Sequence, residues 1–322
     1  MQIQDSYHFN YSVLEQFKEV PFTLSMGWAE YRSVSGNNVK YFIDNKDVPR
    51  FIAFGFFRKS LGTSFLLIEG FSYNSEVIIE EVSNFFSDLI KISRASVILN
   101  LNTIYNPIVE AGIREAGFKR PLGSNYTSLS ILLNVKEYSP NRNWKRNSTK
   151  AIKNGLHFKC ETNYTQSNIS EFIKLFNENT KEKNLHHSIN AKELESMFKD
   201  ENMMMCFIED SEGRKIAGRI IYFNKNISYD VYAANGNISR NTGASFLLMD
   251  SIFNLMHEKG SDFFDFSRIP FGKKNALGVI QFKLSSNGSI IQYMGEWSYF
   301  RNKILKGIYY AYNMLYLRKE LY

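Results

Sequence analysis

The sequence is poor in cysteine and contains no long apolar run. Its 322 residues include two cysteines, Cys160 and Cys206, and neither stands in a CxxC motif or a Cys/His cluster. No disulfide framework is therefore expected, and a reducing cytoplasm is the natural compartment. No apolar stretch is long enough to span a bilayer, and the N-terminal MQIQDSYHFNYSVLEQF lacks a basic region followed by an apolar block. We expect a soluble, unprocessed protein in the cytoplasm or at the inner face of the membrane.

Familiar catalytic motifs are missing as well. The sequence contains no GxSxG, Walker A or HExxH signature, so hydrolase and kinase chemistry have no support. His186 and His187 form its only adjacent histidine pair, and no further ligands follow at metal spacing. We therefore expect no metal site.

The composition provides a large core and an excess of positive charge. Hydrophobic residues make up 44% of the chain and aromatic residues 15%, which is enough for two domains. Lys and Arg number 39 against 32 Asp and Glu, a formal net charge of +7. This balance favours a phosphate-bearing partner, without separating a nucleotide sugar, coenzyme A, tRNA or an anionic membrane.

The two halves of the chain show the same order of elements. In the first half, an antiparallel meander of three strands precedes an amphipathic helix, a strand, a second helix and another strand. These segments are VKYFI, RFIAFGFFRK, TSFLLIEGF, SEVIIEEVSNFFSDLIK with Ser75 as a candidate cap, SVILNLN, NPIVEAGIREAGF and TSLSILLNV. The second half repeats the order with MMMCFIE, KIAGRIIYF, ISYDVYAAN, ASFLLMDSIFNLMHEKG and DFFDFS. The recurrence predicts two copies of one α/β unit.

One lysine, Lys283, lies inside the otherwise apolar run NALGVIQFKLSSNG. Ala276, Leu277, Ile280 and Leu284 follow helical spacing and predict a short helix with Lys283 near its C-terminal end, although an alternating strand is also compatible. A lysine in such a run usually lays its methylene groups on apolar surface and carries its charge to water. A functional role therefore competes with this ordinary one.

A basic helix is predicted in RNWKRNSTKAIKNG. Its cations recur three or four residues apart and would lie along one helical side: Arg142, Lys145, Arg146, Lys150 and Lys153. Like charges in this arrangement repel one another, so contact with phosphates is one interpretation and a solvated face is the other.

The segment NISRNTGASFLLMD joins a strand to a strong helix. Small residues there would let a phosphate approach backbone N–H groups at the positive helix end, with an arginine as a bidentate partner. The candidate donor-binding residues are Arg240, Thr242, Gly243, Ala244 and Ser245. An ordinary turn between strand and helix would use the same residue types.

Asp265, Ser267 and Arg268 stand at the end of the strand predicted in DFFDFS. The carboxyl ends of central strands are where α/β sheets hold their sites, so these residues are candidates for the site. A structural salt bridge of Asp265 is the alternative. Further on, WSYFRNKILKGIYYAYNMLYLRKELY predicts a long aromatic and basic helix, which suits a membrane headgroup region or docking on its own domain.

Several segments, taken in order, resemble the FemABX family. They are PFTLSMGWAEY, EAGFKRP followed by YTSLSILLNV, WKRNSTKAIKNGL, KIAGRIIYF, YDVYAAN, FFDFS and QFKLSSNG, and they cover about residues 20 to 295. That family comprises non-ribosomal peptidyl transferases and related acyltransferases with two tandem domains of the GNAT (acyl-CoA N-acyltransferase) fold. The resemblance implies an α/β (α+β) protein in which each domain has a mixed central sheet flanked by helices. The implied division is an acceptor-side domain at residues 1–138, a donor and catalytic domain at 139–297 and an amphipathic helix at 298–322.

The resemblance also implies an activity. An acyl group would pass from an aminoacyl-tRNA or an acyl thioester to an amine of a cell-envelope precursor, such as a peptidoglycan stem peptide or an amino sugar on a nucleotide or lipid carrier. No tightly bound cofactor is implied. The family's Phe-Lys pair, whose lysine is implicated in chemistry, matches Phe282 and Lys283. Its RNxxKA element matches Arg146, Asn147, Lys150 and Ala151, and the acceptor side would carry Trp28, Tyr31 and Tyr232.

These residues lead to a hypothesis for the reaction. Lys283 would stabilise the oxyanion or donate a proton, since a lysine of pKa ~10.4 is charged at neutral pH without tuning. Asp265 would hold or deprotonate the acceptor amine. Phosphates of the donor would bind to Arg240 and to the backbone of Gly243 to Ser245. Phosphates of either substrate would bind to the basic helix and to Arg268.

Three departures from the family keep other functions open. IEGFSYNS replaces the usual arginine-glycine-proline turn of the family. The coiled-coil hairpin that often accompanies tRNA use has no counterpart among the predicted segments. The acyl-CoA signature of GNAT proteins is only approximated, by Arg240, Gly243 and Ser245. An acyl-CoA-dependent N-acyltransferase acting on an amino sugar or amino acid is one alternative. A non-catalytic module that binds nucleic acid or a membrane surface is another.

Overall fold

The computed structural model describes residues 1–44, 48–60, 62–74, 76–121, 128–161, 164–182, 189–269 and 277–316. They form two compact units. Unit 1 comprises Met1–Ser25, Gly36–Leu129 and Ile291–Tyr322, and unit 2 comprises Met26–Ser35 and Ser130–Ile290. The sheet of each unit mixes parallel and antiparallel strands and is flanked by helices, which confirms the expected mixed α/β class.

The strands of unit 1 follow the spatial order β1 (Gln2–Asp5), β2 (Asn38–Ile43), β3 (Phe51–Ser60), β4 (Thr63–Tyr73), β5 (Ser96–Ile104) and β12 (Ser289–Tyr299). The predicted antiparallel meander is confirmed as β2, β3 and β4. Helix α2 (Ile79–Ser93) then crosses to β5, which pairs parallel with β4, and α3 (Pro107–Glu115) follows. The candidate cap Ser75 lies outside the described residues.

The core of unit 1 lies between the sheet and these two helices. Helix α2 buries Val82, Phe85, Phe86 and Leu89 at the spacing of one helical face, as its sequence predicts. The buried rings and aliphatic side chains of β3 to β5 pack against that face.

The strands of unit 2 follow the order β6 (Leu129–Asn134), β11 (Phe263–Asp265), β10 (Ile227–Asn235), β9 (Lys215–Tyr222), β8 (Met203–Glu209) and β7 (His157–Glu161). Its helices are α1 (Met26–Val34), α4 (Arg142–Lys153), α5 (Gln166–Glu182), α6 (Ala191–Met197), α7 (Ser239–Thr242), α8 (Ala244–Glu258) and α9 (Leu277–Leu284). Strands β10 and β11 are parallel and are joined through α8, just as β4 and β5 are joined through α2. The repeated order read from the sequence therefore has a structural counterpart in each unit.

The compact units differ from the continuous division expected from the sequence. Helix α1 packs within unit 2, where the Gly27 amide donates to Asp200 Oδ2 at 3.0 Å and a Cβ on Gly27 would lie 2.5 Å from the Met197 carbonyl oxygen. Strand β12 pairs antiparallel with β5 from Tyr293 to Tyr299 and so belongs largely to unit 1. Packing and ladder pairing, rather than chain order, set these units.

The expected C-terminal helix is wrong at its start. Ser298 and Tyr299 continue strand β12, because Trp297 is fully buried and stands opposite Leu99 of β5. Helix α10 begins only at Lys303, where Asn302 caps it through the Ile304 amide at 2.8 Å, and runs to Ala311 before a π-helical turn at Tyr312–Tyr316. Among the described residues, no helix has the length and apolarity required to cross a bilayer.

Candidate active site

A cavity of about 870 Å³ lies in unit 2 along the second half of β10 and the segment that follows β11. Because these strands are parallel, their carboxyl ends share one edge of the sheet, where α/β folds hold ligands. The lining residues are Asn179, Arg219, Asp230, Val231, Tyr232, Ala233, Asn235, Ser239, Ser245, Phe246, Phe266, Ser267, Arg268, Gly278, Val279, Phe282 and Lys283. The candidates Lys283, Phe282, Tyr232, Ser245 and Arg268 are thus brought together.

Lys283 is buried at the wall of this cavity. The short helix predicted around it is confirmed as α9, but the predicted apolar face is wrong: Leu277 and Leu284 are exposed, whereas Ile280 and Lys283 are buried. Ala276 lies outside the described residues. Lys283 Nζ donates a hydrogen bond to the Phe266 carbonyl oxygen instead of reaching water.

Burial changes the chemistry of Lys283. Desolvation lowers its pKa to about 8, with Asp230 and Asp265 opposing the shift and Arg219 adding to it. The ordinary lysine pKa assumed from the sequence therefore does not hold. A side chain that titrates near neutrality can both give and take a proton.

The cavity also contains a buried ion pair that the sequence reasoning missed. Arg219 Nη1 lies 3.0 Å from Asp230 Oδ2, and both side chains are about 5% exposed or less. Among the described residues, no hydrogen-bond partner reaches Arg219 Nε or Asp230 Oδ1. Burial raises the pKa of Asp230, against the opposing effects of Arg219 and Lys283. The available signal was one internal charge in each of two largely apolar strand segments, Arg219 in KIAGRIIYF and Asp230 in YDVYAAN.

A β-bulge redirects the side chains in this part of β10. The pairing of β10 with β9 shifts between Asp230 and Tyr232, which leaves Val231 without a cross-strand partner. Bulges redirect side chains and are frequent beside active sites. Asp230 and Tyr232 both line the cavity as a result.

Asp265 does not line the cavity. Its Oδ1 accepts hydrogen bonds from the Ser130 hydroxyl and, at 2.7 Å, from the Ser267 amide. Ser267 has a φ of 56°, in the left-handed region, and its hydroxyl donates to the Asp230 carbonyl oxygen at 2.6 Å. Asp265 therefore holds the turn that presents Ser267 and Arg268 to the cavity.

Phe282 fixes α9 against the helices of unit 2. Its ring stacks on Trp144 with centroids 4.9 Å apart and meets Phe246 edge-on at 5.0 Å. Trp144 Nε1 donates to Asp250 Oδ1 at 2.6 Å, so the indole has a fixed orientation. Phe282 thus anchors α9. The neighbouring Lys283 reaches the cavity wall.

The segment predicted to bind donor phosphates has a different local structure. Residues 239–242 form α7, and Gly243 adopts a φ of 81° with its Cα facing α4; a Cβ there would lie 2.2 Å from the Asn147 carbonyl oxygen. This glycine is required by close helix packing. Ala244 is buried, Thr242 donates to the Ile238 carbonyl oxygen, and Ser245 donates to Asn235 Oδ1 at 2.8 Å. The side chain of Arg240 lies outside the described part of the structure.

The predicted basic helix is confirmed as α4. Arg142, Lys145, Arg146, Lys150 and Lys153 are exposed, and no ion pair joins them to an acidic side chain among the described residues. They lie outside the residues that line the cavity. Helix α4 therefore offers an uncompensated cationic face beside, and not inside, the candidate site.

The candidate acceptor aromatics form a short chain to the cavity. Trp28 and Tyr31 of α1 stack at 5.0 Å, and the Tyr232 hydroxyl donates to the Tyr31 hydroxyl at 3.2 Å. Tyr232 lines the cavity, whereas Trp28 and Tyr31 are buried and do not. His186 and His187 lie outside the described residues. Within the described ranges, no group of three or more His, Cys, Asp or Glu side chains is placed to hold a metal ion.

Comparisons with known proteins give the family and the fold. A model of the FemAB family matches residues 133–317, which include the ion pair and Lys283. No curated protein matches the sequence.

Solved structures share the fold. FemX matches with a TM-score of 0.78 at 13% identity, covering 96% of this chain and 100% of that chain. L-PGS from Bacillus licheniformis matches with a TM-score of 0.63 at 11% identity, covering 93% and 94%. A tandem GNAT protein from the clavulanic acid biosynthesis pathway matches with a TM-score of 0.52 at 7% identity, covering 82% and 83%.

Proposed function

This chain belongs to the FemAB family, and we propose that it transfers an aminoacyl group from an aminoacyl-tRNA to an amino group of a cell-envelope precursor. The acceptor in this proposal is a peptidoglycan stem peptide or an amino sugar on a nucleotide or lipid carrier. The observation that carries the proposal is Lys283, buried at the cavity wall with a pKa of about 8.

The reaction requires a balanced exchange of bonds and protons. The acceptor nitrogen attacks the carbonyl carbon of the donor, an N–C bond forms, and the ester C–O bond breaks. The nitrogen loses a proton and the leaving hydroxyl gains one. In its charged form, Lys283 stabilises the oxyanion or gives its proton to the leaving oxygen, and near pH 8 it can then recover a proton.

The cationic face of α4 supports a tRNA donor. Arg142, Arg146 and Lys150 are exposed and lack ion pairs with described acidic side chains, so binding a phosphate backbone would relieve their mutual repulsion. We assign the α4 cations to tRNA phosphates.

Helix α10 supports contact with a lipid-linked acceptor. Ile304 and Ile308 are exposed at a spacing of one helical turn, while Tyr310 is buried against Phe300. Lys303 and Lys306 place cations on the same helix. Apolar side chains flanked by lysines suit the headgroup region of an anionic membrane.

Transfer assays test the proposal. Purified protein with radiolabelled, charged tRNA and a nucleotide-linked stem peptide should form an acid-stable amide, and acyl-CoA should not replace the charged tRNA. Lys283→Met should lower turnover by about 10²- to 10⁴-fold. The exposed Lys174→Met is the matched control and should retain the wild-type rate. Near-normal turnover in Lys283→Met would refute the catalytic assignment.

A further inference from the structure

The Arg219–Asp230 pair can form more hydrogen bonds than it does. Its single contact of 3.0 Å leaves Arg219 Nε as a donor and Asp230 Oδ1 as an acceptor without partners among the described residues. An arginine and a carboxylate can form two parallel hydrogen bonds, and here they form one. The remaining donor and acceptor belong to two residues that line the same cavity.

Leaving such atoms unpaired is unfavourable. A buried polar group without a hydrogen bond has lost its bonds to water and gained none in return, so native structures rarely keep one without a reason. Breaking a buried pair by removing one charge costs still more. A bound group that offers one N–H donor and one oxygen acceptor would satisfy both atoms.

The pair also lies beside the proposed catalytic lysine. Lys283 Nζ is bonded to the Phe266 carbonyl oxygen, and the next residue, Ser267, is bonded to the Asp230 carbonyl oxygen at 2.6 Å. The charge of Asp230 acts directly on Lys283. A substrate whose reacting carbonyl meets Lys283 therefore places its neighbouring atoms near Asp230.

An aminoacyl group has the matching chemistry. Its α-ammonium and its carbonyl oxygen are carried on adjacent carbons, so the first can donate to a carboxylate while the second accepts from an N–H group. A plain acyl group has the carbonyl and lacks the ammonium. The cavity thus contains a feature that distinguishes these two kinds of donor.

The acceptor amine is the less suitable occupant. It must lose its proton before it attacks, whereas an ionised carboxylate held by an arginine favours a nitrogen that keeps its proton. The α-ammonium of the donor takes no part in bond formation and can stay charged throughout.

We propose that Asp230, held in place by Arg219, binds the α-ammonium of an aminoacyl donor and so selects aminoacyl over plain acyl groups. This inference rests on the proposed function and specifies its donor. In it, Asp230 binds the α-ammonium, and Arg219 both holds Asp230 and offers its Nε to the carbonyl oxygen of the donor.

Binding to the wild-type chain tests the inference without any mutation. The probes are unhydrolysable 3′-amido-3′-deoxyadenosine conjugates of glycine, leucine and lysine, each paired with a counterpart that lacks only the α-amino group. Isothermal titration should show at least one aminoacyl conjugate binding about 10- to 100-fold more tightly than its counterpart, the range expected for a charged hydrogen bond. If every pair binds equally, or none binds, the inference is overturned.

Variants then locate the preference. Asp230→Asn should reduce it to about twofold or less, while Asp210→Asn, at the exposed turn before β9, should leave it intact. Thermal unfolding shows whether Asp230→Asn is folded. If the variant is unfolded, the titration of the wild-type chain still tests the inference. Folded Asp230→Asn with a full preference also overturns the inference.

The two proposals fail separately. Transfer from charged tRNA by a wild-type chain that shows no α-amino preference refutes the role of Asp230 and leaves the proposed function in place. An α-amino preference in a wild-type chain that transfers nothing from charged tRNA refutes the proposed function and leaves the binding role of Asp230.

Discussion

The ammonium of Lys283 donates a hydrogen bond to the backbone carbonyl oxygen of Phe266. Phe266 directly follows β11, so this bond ties helix α9 to the carboxyl end of a central strand. The next residue, Ser267, is tied in turn to β10 through the Asp230 carbonyl oxygen. Two consecutive residues therefore fix the Lys283 side chain and the Asp230 backbone on one cavity wall.

The rate of transfer should fall as the pH rises through about 8. Lys283 has a pKa of about 8, and the proposed step uses its charged form, which is depleted above that pH. A profile of kcat from about pH 6 to 10 measures this. Lys283→Arg keeps its charge across this range, so its residual activity should show no fall near pH 8. A wild-type profile that stays flat through about pH 10 would contradict the assignment.

Lys283→Met should stabilise the fold at neutral pH while it lowers turnover. The lysine pKa is about 8 in the folded chain and 10.5 for the unperturbed group, so burying the charged form is unfavourable. We expect a gain of roughly 1 to 3 kcal/mol in the free energy of unfolding, reduced by loss of the bond to Phe266. Urea unfolding at pH 7 measures it.

The same linkage sets the pH dependence of this gain. Between pH 8 and 10.5 the unfolded chain binds the proton that folded Lys283 has released, so wild-type stability gains from this residue as the pH rises through that window. The advantage of Lys283→Met should therefore shrink when both chains are compared at about pH 9.5. An advantage that grows with pH would show that the shift has the opposite sign.

Gly243→Ala should destabilise the chain more than Gly260→Ala. Both glycines have positive φ, 81° and 86°, so both substitutions carry the backbone penalty of roughly 1 to 2 kcal/mol. Only at Gly243 would the new Cβ meet a backbone atom, the Asn147 carbonyl oxygen at 2.2 Å; nothing lies within 4 Å at Gly260. Thermal unfolding of the two variants compares them directly. Equal losses would show that α4 and α8 can move apart without penalty.

Removing charge from α4 should weaken tRNA binding and its dependence on salt. Arg146→Gln and Lys150→Gln each remove one exposed cation, and each should lower the slope of log K against log salt by about one. Filter binding between about 50 and 200 mM salt measures the slope. Lys174→Gln on α5 serves as the control and should leave it unchanged. Unaltered slopes in both α4 variants would assign this face to solvent.

Local pattern was enough to predict many of the elements. Strands β2 to β5 and β8 to β11, the amphipathic α2, the basic α4 and the short α9 follow from periodicity and turn residues, because these signals act over a few neighbouring residues. The segment after Trp297 was wrongly predicted to be helical, since its aromatic and basic residues also suit a helix. Pairing with β5 decided in favour of a strand up to Tyr299.

Sequence alone determined the order of elements, the single lysine in an apolar run and the ordered motifs of the FemAB family. The tertiary structure decided which face of α9 is buried, that Arg219 pairs with Asp230, and that Gly243 serves helix packing. The physical reason is that burial and charge pairing depend on residues far apart in the chain. Lys283 acquires its lowered pKa only when β10, β11 and α9 meet around it.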